Sequence, residues 1–190
     1  MLRLAEESLP IWQKTEDELG ELNVPPPYWA FAWAGGQAVS RYLLDHPDMC
    51  RGLPALDLGS GSGISAIAAA KAGASNVLAA DIDRLALAAC TINAAANAVT
   101  LETTDRDLLS APPPKAGIVI VGDLFYERQL AERVLQFIES AKDEGCSVYI
   151  GDPRRSYFPE GKFTALAEYQ VPVTRELEDY EIKRTTVWRA

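Results

Sequence analysis

The chain has one histidine, His46, and only three cysteines, Cys50, Cys90 and Cys146. One imidazole and three scattered thiols cannot assemble the closely spaced ligands of a structural zinc site. An odd, widely separated trio is not a disulfide framework either; it suits a reducing compartment in which thiols serve as small core residues. No apolar run approaches the roughly 18 residues of a membrane helix, which excludes a spanning protein. The opening, MLRLAEESLP, lacks the basic head, apolar stretch and small-residue cleavage site of a secretory signal, and it is acidic where a mitochondrial presequence is arginine-rich. Basic residues are also scarce: 18 Lys and Arg against 27 Asp and Glu, a formal charge of −9. Such a chain is repelled by phosphate polymers and anionic lipid. The expected partner is therefore a basic protein surface or a small molecule, with neither nucleic acid nor membrane involved.

What is present reads as one domain over residues 1–190, with 1–24 a helical extension. There is no internal repeat, and the proline clusters Pro25–Pro27 and Pro112–Pro114 are too short to be linkers. From Pro54 onward short apolar runs alternate with helical patterns. Ala55–Leu58, Val77–Ala80, Leu101–Thr104, Ile118–Val121 and Ser147–Ile150 read as strands. Ile64–Ala72 is alanine-rich and helical by composition. Arg84–Ala98 carries Leu85, Ala88, Ala89 and Ile92 at three- and four-residue spacings, and Leu130, Val134, Leu135 and Ile138 share one helical face. This alternation predicts right-handed crossovers and a mostly parallel sheet with helices on both faces. Near the end, Ala165–Tyr169 can finish a helix, while Gln170–Thr174 and Tyr180–Trp188 read as strands. Two strands so close in sequence pair as an antiparallel hairpin, which puts one reversed strand in the sheet.

The strongest local signal is LDLGSGSG, Leu56 to Gly63. It leaves a strand and opens a helix, the setting in which a glycine-rich turn receives a nucleotide. Gly59 permits the tight turn, and Gly61 and Gly63 allow close approach to the backbone. The spacing is GxGxG; Ile64 stands where the dinucleotide fingerprint has its third glycine, which disfavours pyrophosphate on the helix N-terminus. Asp57 can accept from the loop's amides or face a ligand's ammonium. Asp81, 22 residues past Gly59, ends the second strand, where a carboxylate accepts both hydroxyls of a ribose; Asp83 is better placed to cap the helix that follows. Asp107 follows the third strand and can accept from an adenine's amine, with Leu108 packing on the ring. Acids at the ends of consecutive strands favour a nucleoside without phosphates, and one with a positive charge above all.

These residues resemble a class I S-adenosylmethionine-dependent methyltransferase: LDLGSGSG is similar to that superfamily's glycine motif and LAADID to its ribose acid. PPYWAFAWAGGQAVSRYLLDHP (25–47) and GDLFYE (122–127) resemble the seven-strand lysine methyltransferases that carry a D-x-x-Y motif. With GDPRRSYF, the run from Pro26 to Asp81 resembles the electron transfer flavoprotein beta-subunit lysine methyltransferase family. The resemblance implies a Rossmann-like seven-stranded sheet with an antiparallel last strand, S-adenosyl-L-methionine as cofactor, and the flavoprotein beta subunit as substrate. It implies a monomeric, cytoplasmic bacterial member, or a matrix enzyme if a presequence has been removed. It assigns cofactor contacts to Trp33, Gly59, Asp81 and Gly122, and catalysis to Asp123 and Tyr126. On the adenine side, Asp107 and Leu108 compete with a two-residue slip toward Asp105.

Such an enzyme must admit a lysine, almost wholly protonated at neutral pH, and hold its nitrogen in line with the methyl group. Asp123 would grip the ammonium. If Asp123 opened a helical turn, Tyr126 would share its face, and Phe125 and Trp29 could add walls that favour a cation. Arg154 and Arg155 read as a clamp for an acidic residue or phosphate on the substrate. Three alternatives remain open: a small-molecule N-methyltransferase acting on a pyridine amide in a closed aromatic pocket, an NAD-dependent oxidoreductase, and a nucleoside-binding module without catalysis.

Overall fold

The computed structural model describes residues 1–4, 26–173 and 181–190. The helical extension expected over 1–24 therefore lies almost wholly outside the described residues. Seven strands form one sheet: β1 (Pro54–Leu58), β2 (Asn76–Ala80), β3 (Glu102–Thr104), β4 (Ile118–Gly122), β5 (Ser147–Asp152), β6 (Thr164–Pro172) and β7 (Ile182–Arg189). Their order is β3-β2-β1-β4-β5-β7-β6. β3, β2, β1, β4 and β5 pair in parallel, and β7 runs antiparallel to both β5 and β6. The single reversed strand is as expected. The helix expected to end at Ala165–Tyr169 is absent, because those residues lie within β6. Their alternation of exposed and half-buried positions is the period of a strand with one covered face, and alanine's helix propensity yields to it.

Among the described residues four α-helices cover the sheet: α1 (Ala34–Asp45), α2 (Ile64–Lys71), α3 (Arg84–Ala96) and α4 (Arg128–Asp143). The apolar strands read from sequence are buried on two faces, as parallel strands must be. In β4, Ile118 and Ile120 join the core under α1, α2 and α3, whereas Val119 and Val121 join the core under α4. The face of α3 differs from its sequence spacing. Leu85 and Ile92 are exposed, and the helix buries Ala86, Cys90, Asn93 and Ala94. The reason is the glycine loop: a Cβ on Gly63 would lie 2.6 Å from the Cys90 sulfur, so α3 turns its small residues inward.

Glycines also set α1. A Cβ on Gly35 would lie 2.1 Å from the Gly151 carbonyl oxygen, and one on Gly122 would lie 3.0 Å from the Gly36 Cα. The first turn of α1 thus rests on bare backbone at the carboxyl ends of β4 and β5. This contact builds one wall of the site.

Candidate active site

A cavity of about 490 Å³ opens at the carboxyl ends of β1, β2 and β4, within the usual range for a small-molecule site. Leu58, Gly59 and Gly61 come from β1 and its loop, Asp81, Ile82 and Asp83 from the end of β2, Asp107, Leu108 and Leu109 from beyond β3, and Gly122, Asp123 and Tyr126 from the end of β4; Tyr28, Trp29, Trp33 and Arg155 line it too. Of the residues the sequence points to, Trp29, Trp33, Gly59, Gly61, Asp81, Asp107, Leu108, Gly122, Asp123, Tyr126 and Arg155 line this cavity, whereas Asp57, Gly63, Phe125 and Arg154 do not.

Asp57 is buried beneath the loop, where its Oδ2 accepts the Ala66 amide of α2 at 3.0 Å and Ser60 donates to its carbonyl at 2.9 Å. It shapes the turn rather than facing a ligand. Burial pushes its carboxyl up to about 7, against hydrogen bonds that pull it down. Gly59, Gly61 and Gly63 all have positive φ, at 67°, 50° and 81°, which is the conformation only glycine adopts without strain.

Asp81 accepts the Gly61 amide at 2.9 Å through Oδ2 and the Asp83 amide at 3.0 Å through Oδ1. Burial holds its pKa above the usual carboxylate range. Each oxygen keeps a further lone pair for an incoming hydroxyl. Asp83 caps α3 as expected, accepting from Leu85 at 2.8 Å. Asp107 receives the Ser110 hydroxyl at 2.7 Å, the Leu109 amide at 3.1 Å and Arg133 at 2.5 Å. The Ser110 hydrogen bond, then Arg133, holds its pKa low. Asp105 instead pairs with Arg84 at 3.0 Å and lies outside the cavity lining, which favours Asp107 and Leu108 over the two-residue slip.

Asp123 departs from its sequence reading. It does not open a helix: its φ is 57°, and α4 begins at Arg128. Its Oδ2 accepts the amides of Gly35 and, at 3.2 Å, of Gly36, so it satisfies the exposed donors of the α1 N-terminus from across the sheet. Its Oδ1 faces Arg155, with Nε at 2.8 Å and Nη2 at 2.6 Å. The acidic partner of Arg155 is therefore inside this chain. Arg154 lies over Trp188, 5.8 Å from the ring centroid. Asp123 and Tyr126 do line the same cavity, brought there by a loop instead of a helical turn. The Tyr126 ring stands 5.5 Å from that of Tyr28, and its phenol is pushed up to about 12 by burial.

Trp33 sits at the N-cap of α1 and donates its indole N–H to the Tyr28 carbonyl at 2.7 Å. Trp29 lines the cavity, but Phe125 does not: it is wholly buried against Phe158, at a centroid distance of 5.3 Å. Among the lining residues that escaped the sequence reading are Ile82, Tyr28 and Arg133. Ile82 is 73% exposed at the rim, an apolar platform whose only signal was an isoleucine between two aspartates. Tyr28 lies in the quoted PPYWAFAW segment, yet nothing in its spacing singled it out. Arg133, which holds Asp107, belongs to the polar face of α4.

The lining acids, Asp81, Asp83, Asp107 and Asp123, outnumber the bases, Arg106, Arg133 and Arg155. A glycine-bordered crevice with a ribose-type acid and a net negative lining fits a nucleoside without phosphates that bears a cation.

Comparison with known proteins agrees. The family model for ribosomal protein L11 methyltransferase (PrmA) matches residues 43–148. The electron transfer flavoprotein beta subunit lysine methyltransferase of Rattus norvegicus is 39% identical over 168 residues, 85% of this chain and 66% of that protein. The protein of the same name from Xenopus laevis is also 39% identical, over 85% of this chain and 68% of that protein. The chain thus spans about two thirds of the length of these relatives. Among solved structures, magnesium protoporphyrin IX methyltransferase from Synechocystis PCC 6803 with bound SAM shares the fold at a TM-score of 0.58 and 14% identity, covering 81% of this chain and 76% of that one.

Proposed function

The chain belongs to the electron transfer flavoprotein beta subunit lysine methyltransferase family, and from that premise we propose that it transfers methyl groups from S-adenosylmethionine to lysine on the flavoprotein's beta subunit. The observation that carries the reading is one cavity lined by Asp81, Asp123 and Tyr126 together, with Asp81 after β2 and Asp123 after β4, the strands on either side of β1: a nucleoside seat and an ammonium seat share a space. When bound, S-adenosylmethionine supplies an electrophilic methyl on a sulfonium. Gly59 and Gly61 leave room for it beside the backbone, Asp81 accepts its ribose hydroxyls, Leu108 and Ile82 cover its base, and Asp107 accepts from the amine. The negative lining favours its charge.

On the acceptor side, Asp123 receives the lysine ammonium and orients the nitrogen. Tyr126, a phenol that resists ionisation at neutral pH, orients it through its hydroxyl without adding charge. Holding the two reactants in line is the main catalytic work, worth about 7–11 kcal/mol in favourable cases. The rims of Tyr28 and Tyr126 are exposed, at 39% and 43%, which suits a side chain inserted from a protein surface better than a small acceptor in a sealed pocket. Among the described residues no helix is long and apolar enough to cross a membrane.

The test is incubation with labelled S-adenosylmethionine and purified beta subunit, with ribosomal protein L11 alongside because of the family match at 43–148. Label on lysines of the beta subunit is the expected result. Label on L11 alone moves the substrate to the ribosome, and label on neither protein removes the reading.

A further inference from the structure

We propose that Arg155 is a resident stand-in for the acceptor lysine: its guanidinium sits where the substrate's ammonium has to bind, and the substrate enters by displacing it. The inference rests on the lysine-methyltransferase reading above and adds a residue that selects the acceptor.

The argument starts with two matching strand ends. β4 ends at Gly122 with Asp123 next in the chain, β5 ends in Gly151-Asp152, and Gly122 pairs with Gly151 in the register. Asp123 and Asp152 therefore leave the sheet side by side. The chain then turns at once, and the Arg155 amide donates to Asp152 Oδ1 at 2.7 Å. Asp152 is wholly buried, and its Oδ2 has no hydrogen-bond partner among the described residues. This anchor aims the Arg155 side chain into the cavity. There it meets the Asp123 carboxylate at 2.6–2.8 Å and lies 5.7 Å from the Trp33 ring centroid. A carboxylate beside a cation and an indole near it are the features that recognise an ammonium. The Arg155 and Asp123 side chains are only 16% and 9% exposed, so the pair is largely desolvated.

A buried carboxylate without a cation is costly. Arg155 neutralises Asp123 while the site waits, and an arriving ammonium takes over that task. A neutral acceptor offers no replacement charge and leaves the ion pair closed. The choice of arginine follows from the same chemistry. A guanidinium keeps its proton, so it is a weak nucleophile beside a methyl donor, whereas a lysine held in that place would itself become an acceptor.

Three measurements test this. Removing the competitor in Arg155→Ala should lower the KM for the beta subunit roughly tenfold with little change in kcat, about 1.4 kcal/mol. Methylammonium chloride should raise the melting temperature of Arg155→Ala above that in matched sodium chloride, and leave the native protein unmoved. This second readout needs neither the flavoprotein nor turnover. If the native enzyme fails to methylate the beta subunit but methylammonium still stabilises Arg155→Ala selectively, the substrate reading falls and the cation seat stands. If the native enzyme methylates the beta subunit, yet Arg155→Ala shows an unchanged or raised KM and no selective stabilisation, the stand-in role is overturned alone. Should Arg155→Ala fail to fold, Arg155→Lys decides. Self-methylation of the introduced side chain, found by peptide mass mapping and lost when Asp123→Asn is added, supports the proposal, and its absence overturns it.

Discussion

At the scale of single residues, the glycine loop separates two kinds of demand. Gly61 and Gly63 both have positive φ, so alanine costs about 1–2 kcal/mol of backbone strain at either. Around Gly61 the nearest atom to an added Cβ is the Trp29 Cα at 3.8 Å, but around Gly63 it is the Cys90 sulfur at 2.6 Å. Gly61→Ala should fold with a modest loss of stability and a weakened affinity for S-adenosylmethionine, seen by calorimetry. Gly63→Ala should lose more stability than Gly61→Ala in a denaturant titration. Equal losses would contradict the contact with Cys90.

Asp152 carries a second residue-scale prediction. Its carboxyl titrates near 7 in the folded chain, raised by burial and then by Asp123, against about 3.9 unfolded. The folded state thus holds the proton more tightly. The resulting stability is full below about pH 4 and is lost as pH rises through about 7. Asp152→Asn should make the decline in melting temperature over that window shallower. An unchanged slope would show that the carboxyl does not titrate there. The amide also puts the Arg155 anchor at risk, so the KM of this variant is worth following.

The glycine motif, Asp81 and Asp83 were legible because turn, strand end and cap are local in sequence. Asp123 was legible as a site residue but not in its role, because the amides of Gly35 and Gly36 that it accepts lie nearly ninety positions away. Arg155 was visible only as half of a basic pair expected to clamp an acidic residue or phosphate on the substrate. Only the folded register of β4 and β5 supplies Asp123.

At the scale of elements, the docking of α1 is the least tolerant contact. A Cβ on Gly35 would approach the Gly151 carbonyl oxygen to 2.1 Å and Asp123 Oδ2 to 2.5 Å, the first being backbone and the second a carboxylate already held by the Gly35 and Gly36 amides and by Arg155. Gly35→Ala should therefore destabilise by about 1–3 kcal/mol or more, despite alanine's better helix propensity. A melting temperature at or above that of the native protein would show that α1 can slide. The parallel strands and their helices were readable from apolar runs and spacing. The segment at Ala165–Tyr169 was not, since five residues of mixed polarity fit either period and pairing with β7 decides. The offset face of α3 has the same origin: its inward residues are chosen by the loop beneath, which periodicity does not see.

At the scale of the molecule, a charge of −9 should draw the enzyme to lysine-bearing surfaces. Methylation of a protein acceptor should slow as salt rises, through kcat/KM and the association rate. A salt-independent kcat/KM would argue that docking is apolar.

The central claim is that one cavity seats the methyl donor on Asp81 and the acceptor nitrogen on Asp123. The most direct measurement is donor binding and methyl transfer on the same two variants. Asp81→Ala should lose donor affinity. Asp123→Asn, which keeps an oxygen for the α1 amides but no charge for an ammonium, should bind the donor as the native protein does and transfer methyl at least a hundredfold more slowly, about 2.7 kcal/mol. Transfer by Asp123→Asn at the native rate would contradict the account.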